Sequence, residues 1–231
     1  MTGLLAIGLG ISILQAVAVS THRVVSGSMM PTLEIGDWVV VNRLRFGPFA
    51  YGARFGILRN TPLRGELVVF VRPMSELFAA MEDVGERSED LLVKRVVGVS
   101  GDTILMRNGR LCVNGVTPGF EQHISHPHLS TDRASPFFAW QRQFAVSTSR
   151  FGTAPSEPTL DNWGPFVVPS GRIFVLGDNR YHSTDSRYFG FVELDELRGE
   201  PELVYFSVKP PGLSGSFVER VRWRRVGALL N

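Results

Sequence analysis

The chain has 231 residues, 44% of them hydrophobic, which suffices for a sizeable core and excludes a mainly disordered protein. Its 24 Lys and Arg barely outnumber 22 Asp and Glu, so no concentrated basic surface is implied and nucleic acid is not an expected partner. The single Cys112 can form no internal disulfide and has no second thiol for a zinc site, while 24 Gly and 14 Pro spread between short Val, Ile and Phe runs favour strands and turns.

From Met1 to His22 no side chain carries a formal charge, and only Ser12 and Gln15 interrupt the apolar run from Leu4 to Val19. At 1.5 Å per residue, about 18 to 20 helical residues reach roughly 27 to 30 Å, so residues 1–22 are expected to form a membrane anchor helix. A cleaved signal peptide is the rival reading, but the basic segment it needs is absent; a buried core helix is the other. Because no Lys or Arg precedes the run and Arg23 follows it, charge alone leaves its orientation open.

Residues 23–231 are expected to form a domain of mainly antiparallel β structure. Trp38 to Val41 and Leu67 to Val71 are short apolar runs behind the turn residues Gly36-Asp37 and Gly65, and they read as buried strands. Further strands are expected at Leu92 to Val99, Thr103 to Met106, Phe166 to Val168, Ile173 to Leu176 and Leu203 to Val208. Met74 to Glu89 has a mixed helical look. The stretch from Gly119 to Asn162 is polar, with weak periodicity, and predicts a β-hairpin or irregular segment; a smaller β-rich insertion is placed at about 107–165. No fixed-period repeat is visible.

Three segments carry the chemistry. Ser26-Gly27-Ser28-Met29-Met30-Pro31-Thr32-Leu33 follows the expected anchor closely, where a turn could present a hydroxyl at the membrane surface. A serine needs a base to take its proton as it attacks a carbonyl. Lys94 is the one lysine in the apolar strand Leu91 to Val99, where burial would lower its pKa toward the working pH and let it serve as that base. The third segment, Gly177 to Gly190, is dense in polar residues that can pair locally.

S-G-S-M-M-P-T-L, V-K-R-V-V-G and G-D-N-R-x-x-S-x-D-S-R-x-x-G, in that order, resemble the sequence boxes of type I signal peptidases, the Ser/Lys dyad serine endopeptidases also called leader peptidases. Arg64-Gly65-Glu66, Gly101-Asp102 and Val113-Asn114-Gly115 are supporting matches. The resemblance implies a signal-peptidase-type β domain behind one transmembrane helix. It implies that Ser28 is the nucleophile and Lys94 the general base, that the Ser28 backbone N–H and the Ser26 hydroxyl form the oxyanion hole, and that Ser183 orients the lysine. It further implies that Asp185 and Arg187 pair as structural support and that Gly177 permits a close backbone approach to the lysine. A substrate strand would lie beside Val24 to Ser26 and Leu92 to Lys94, with Val24, Met29, Leu33, Val39, Leu92 and Val93 as pocket walls. Leu92 departs from a common aromatic and Val25 from a frequent proline. The implied activity is removal of signal peptides from exported preproteins by a monomer contacting membrane lipid, without cofactor or metal. The implied site of action is the outer or periplasmic face of a bacterial cytoplasmic (inner) membrane.

Other readings of the same residues stand beside this one. His182, near Asp178 and Asp185, invites a Ser-His-Asp triad. His123, His126 and His128 resemble a metal cluster, but their loop-like setting favours a polar loop. The stretches Arg43 to Tyr51 and Arg220 to Arg225 fit either ordinary surface or contact with lipid headgroups. A conjugation-type processing peptidase with the same dyad, or a membrane-tethered β domain that binds peptides without cutting them, are the functional alternatives.

Overall fold

The computed structural model describes residues 18–46, 61–73, 91–123, 134, 136–147, 149–210 and 217–230. Residues 1–17, the segment 74–90, His126 and His128 lie outside this set, so most of the expected anchor, the helical reading of Met74 to Glu89 and the histidine cluster are not described. No described helix is long and apolar enough to cross a membrane.

The large sheet is antiparallel and is built from β1 (Val19–Arg23), β2 (Asp37–Asn42), β3 (Leu67–Val71), β4 (Leu91–Val99), β8 (Arg172–Leu176), β9 (Val192–Glu193) and β10 (Leu197–Ser207). Their order is β1-β2-β10-β3-β4-β8-β9, and β11 (Ala228–Leu229) adds to β10. A second, three-stranded sheet has the order β6-β5-β7, with β5 at Thr103–Arg107, β6 at Arg110–Val113 and β7 at Trp163–Val167. Among the described residues, two four-residue helices, α1 (Ser186–Phe189) and α2 (Phe217–Arg220), and several 3-10 turns accompany the sheets.

The inner strand β3 and, after Arg172, β8 are continuous apolar runs because both of their faces are covered, which removes the usual alternation of apolar and polar residues. On β8, Phe174 and Leu176 pack with Trp163, Phe166 and Val97 toward the small sheet. Ile173 and Val175 point the other way, into a core with Val68, Phe70 and Val96. A third core, of Met29, Leu33, Val39, Val41, Leu67, Val69 and Val204, lies under the Ser28 turn and fixes its floor.

β1 changes the reading of the N-terminal segment. Val19 to His22, assigned to the end of the anchor helix, are strand residues paired with β2, with His22 opposite Val39 and Ser20 opposite Val41. An uncharged run is compatible with either element, and here the backbone donors of β2 decide between them. Within the expected insertion the described residues include strand β6, the start of β7, two 3-10 helices, Gly119–His123 and Pro136–Gln143, and irregular connections between them. The second of these rests on α1, with Trp140 Nε1 donating to the Arg187 carbonyl at 3.0 Å.

Charged side chains close the ends of the fold. Arg222 and Arg225, read as candidates for lipid headgroups, turn inward instead: Arg225 donates to the fully buried Asp37 at 2.6 Å, and Arg222 binds Glu34 and the Ile35 carbonyl. Unpaired Asp37 would be costly to bury, so these cations hold the strand end rather than a membrane. Burial pushes the Asp37 carboxyl up, but its bonds from Arg225 and Ser207 outweigh that and leave its pKa lowered. Trp223, beside them, is exposed. Three scattered segments of the chain meet at Asp102, which accepts from Arg64, from the Val99 N–H at 2.9 Å and from Asn114 Nδ2 at 2.9 Å.

Candidate active site

Ser28 sits in the turn between β1 and β2, and Lys94 lies on β4, 66 residues away in sequence. The Lys94 amine donates to Ser28 Oγ at 2.8 Å and to the Val93 carbonyl at 3.1 Å, and Ser26 Oγ lies 3.2 Å from Ser28 Oγ. Lys94 is only 2% exposed. Burial lowers its pKa from 10.5 to about 8; the Asp185 and Asp178 carboxylates pull it back upward and Arg187 adds to the lowering. An amine poised near neutrality, in contact with a hydroxyl, can take up and return a proton at working pH. Ser28 hydrogen-bonds to Lys94 and Ser26, and no described bond joins it to His182.

The turn that carries Ser28 is held from the segment after β8. Asn179 donates its backbone N–H to the Ser28 carbonyl at 3.0 Å and its Nδ2 to the Gly27 carbonyl at 3.0 Å. Asp178 accepts from Thr32 Oγ1 at 2.6 Å and from both Nε and an Nη of Arg95, at 2.8 and 2.6 Å. One bidentate ion pair thus links the residue after the lysine to the loop that pins the serine. Sequence reasoning assigned Thr32, Arg95 and Asn179 no role, and read Asp178 only as a possible partner of His182. A base within the apolar run Leu91 to Val99 and an acid directly behind the apolar run Ile173 to Leu176 are the signal that would have paired Arg95 with Asp178.

Gly177 packs where no side chain fits: a Cβ there would stand 2.1 Å from Ser183 Oγ and 2.6 Å from the Ser28 carbonyl. The close approach is therefore to Ser183 and the nucleophile's own carbonyl. Ser183 Oγ is buried and has no hydrogen-bond partner, so the structure places it beside the dyad without a bond to Lys94. Asp185 caps α1 and forms a bidentate pair with Arg187, both distances being 2.8 Å, and accepts from the Gly177 N–H at 3.0 Å. Burial would raise the Asp185 carboxyl, yet the Arg187 charge and these bonds leave it lowered and ionised.

A further residue enters from the insertion. Glu121 accepts from both Nη atoms of Arg180, at 2.5 and 2.9 Å, while Arg180 Nε donates to the Gly177 carbonyl at 3.1 Å. Both side chains are buried. No motif or periodicity marked Glu121, because its partner is supplied only by folding.

A cavity of about 350 Å³ opens beside the dyad. It is lined by Val24, Met29, Leu33, Val39, Leu92 and Val93, together with Ser26, Ser28 and Lys94. Val69 and His22, not singled out from sequence, also border it. Its walls are two strand segments with incomplete pairing: β4 meets β8 only from Arg95 onward, and β1 is an edge strand. Unpaired backbone groups on two sides of an apolar slot suit a peptide that adds as a strand. A larger cavity of about 530 Å³, between Phe137, Trp140, Tyr188 and Phe191, holds neither member of the dyad, so the chemistry resides in the smaller one. No group of three or more metal-ligating side chains occurs among the described residues.

A buried amine in contact with a serine hydroxyl, at the side of a strand-accepting cleft in an antiparallel β fold, defines a serine endopeptidase in which lysine takes the place of histidine. The chain belongs to the signal peptidase, peptidase S26, family, whose model matches residues 1–206. It is 34% identical over 193 residues to signal peptidase I of Bacillus caldolyticus, covering 83% of this chain and 82% of that one. It is 30% identical to the probable signal peptidase I-2 of Synechocystis sp., over 94% of this chain and 74% of that one. Signal peptidase I of Haemophilus influenzae is 26% identical, and the alignment covers 81% of this chain and 63% of that relative's length. A crystal structure of a signal peptidase I from Enterococcus faecalis V583 aligns with TM-score 0.34 at 27% identity, covering 61% of this chain and 96% of that one.

Proposed function

We propose that this chain removes N-terminal signal peptides from exported preproteins, with Ser28 as nucleophile and Lys94 as general base. The observation that carries the reading is the 2.8 Å contact between a 2% exposed amine and the serine hydroxyl. In the reactive state Lys94 is neutral and accepts the Ser28 proton as Oγ bonds to the scissile carbonyl carbon. The Ser28 N–H and the Ser26 hydroxyl then face the developing oxyanion, a donor set worth roughly 3 to 4 kcal/mol per donor in the transition state. The Lys94 ammonium returns its proton to the departing amine, the C–N bond breaks, and an ester to Ser28 remains. A water molecule that gives its proton to Lys94 attacks this ester and frees the acid.

The substrate lies extended between residues 23–26 and 91–94, its small side chains entering the cavity lined by Val24, Met29, Val39 and Val93. Family resemblance supplies the A-x-A-like preference. Rotation of the unpartnered Ser183 hydroxyl toward Lys94 would orient the amine for attack. The chain acts as a monomer at the outer face of a bacterial cytoplasmic membrane, anchored by the apolar run that precedes β1 and resting on lipid. Residues 23–231 form the catalytic domain, with an insertion at about 107–165. Incubation of a preprotein with the full chain tests the reading. Cleavage at one site, lost in Ser28→Ala and in Lys94→Ala, supports it, whereas peptide binding without turnover identifies a binding domain.

A further inference from the structure

Beside the aliphatic walls of the cavity and the dyad itself stands one imidazole, His22, that the dyad chemistry does not use. The strand β1 alternates exposed and half-buried positions, and Ser20 and His22 occupy the half-buried ones. His22 is the cross-strand partner of Val39, and Ser20 that of Val41; both valines are buried, so the imidazole faces the core side of the sheet. Val39 and His22 both line the cavity, as does Val24, two residues further toward the nucleophile. The Nε2 atom of His22 lies 3.0 Å from Ser20 Oγ. One ring nitrogen is thus engaged on its own strand, which fixes the ring and leaves Nδ1 for another partner. Burial, assisted by the Arg43 charge, lowers the His22 pKa and keeps the ring neutral, so that it brings hydrogen-bonding capacity without a desolvated charge.

Strand geometry says which substrate residue meets it. Side chains on one face of an extended peptide recur every second residue, about 6.6 Å apart, the spacing expected between His22 on β1 and Val24 just past its end. A peptide lying along these residues with its scissile residue beside Ser28 and Val24 turns the side chain two positions earlier, at −3, toward His22. We infer that His22 makes this end of the cleft a polar subsite, which favours, among the small side chains that an A-x-A-like pattern admits at −3, those carrying a hydroxyl or amide. Thr, Ser or Asn there can hydrogen-bond the imidazole, whereas an aliphatic residue takes water from Nδ1 as the peptide covers it and offers no partner in return. The inference rests on the peptidase reading given above and adds to it the kind of residue accepted at one position.

The test uses the full chain and matched peptides that carry Ala at −1 and Ala, Val, Ser, Thr or Asn at −3. The quantity read is the ratio of kcat/KM between the Ser or Thr peptide and the Ala or Val peptide. The unmodified chain should favour the polar residue, and His22→Leu should lower that ratio roughly fivefold to tenfold, the worth of one hydrogen bond in a confined site. His22→Gln, which keeps an amide at that place, should hold most of the preference and serves where His22→Leu does not fold. An unmoved ratio in both variants, or an aliphatic preference in the unmodified chain, would overturn the subsite. Absence of turnover with every peptide would instead overturn the peptidase reading on which it stands.

Discussion

Asn179 holds Ser28 from behind: its backbone N–H meets the Ser28 carbonyl at 3.0 Å, while its side chain takes the preceding carbonyl, that of Gly27. The neighbouring Asp178 is bonded to Arg95, the residue after Lys94. Nucleophile and base are thereby referenced to one short loop as well as to each other, so damage to that loop should show first in catalysis. Asn179→Ala keeps the backbone bond and removes the other. It should cost about 1 kcal/mol of stability, as expected for one hydrogen bond, but lower kcat more steeply than KM changes. Denaturation and steady-state kinetics on the same preparation check both halves.

Gly177→Ala tests the close approach on the other side of the dyad. Its Cβ would meet Ser183 Oγ at 2.1 Å and the Ser28 carbonyl at 2.6 Å, so either the serine turn or Ser183 must move. Overpacking of this kind costs about 1 to 3 kcal/mol. The expected outcome is a folded protein with at least tenfold lower kcat, since displacement of the nucleophile is felt strongly in the transition state.

The Lys94 amine sets the pH dependence. With its pKa lowered to about 8, kcat/KM should rise as pH increases through that value and the neutral amine becomes populated. The same shift bears on stability. Below pH 8 both folded and unfolded chains hold the proton, and the folded one must carry it buried. The difference between 10.5 and about 8 corresponds to a penalty on the order of 3 kcal/mol, present below pH 8 and relieved between pH 8 and 10.5. Lys94→Met should therefore be inactive yet more stable than the parent at pH 7, by thermal or denaturant unfolding.

The pair Glu121–Arg180 joins the insertion to the Gly177 loop. Glu121→Leu leaves a buried guanidinium without its carboxylate and should destabilise by about 3 to 5 kcal/mol, whereas adding Arg180→Met removes the stranded charge and should recover part of the loss. Equal stability of the single and double variants would show that the pair carries no such coupling.

Much of the site was legible because its residues fall in short ordered boxes: Ser28, Lys94 and the six pocket positions all reach one cleft. Strands β2 to β5, β8 and parts of β7 and β10 were legible because turn residues punctuate apolar runs, whereas β6, β9 and the start of β10 were not marked in that way. What stayed hidden depends on pairing across long separations. Arg222 and Arg225 look like surface charge until Asp37 and Glu34, some 188 residues away, are brought beneath them. Val19 to His22 look like the end of an apolar helix until β2 offers them a partner strand. Glu121 carries no local mark, and the rotamer of Ser183 is a matter of packing that no motif encodes.

The central claim is that the Ser28 oxygen, activated by the Lys94 amine, forms the bond to the substrate carbonyl. Its most direct measurement is covalent trapping: the full chain is treated near pH 8 with an acylating peptidase inhibitor, digested, and the modified peptide sequenced by mass spectrometry. The account predicts a single adduct on Ser28, suppressed on the order of a thousandfold in rate by Lys94→Met. An adduct on any other residue, or acylation of Ser28 at undiminished rate in Lys94→Met, would contradict it.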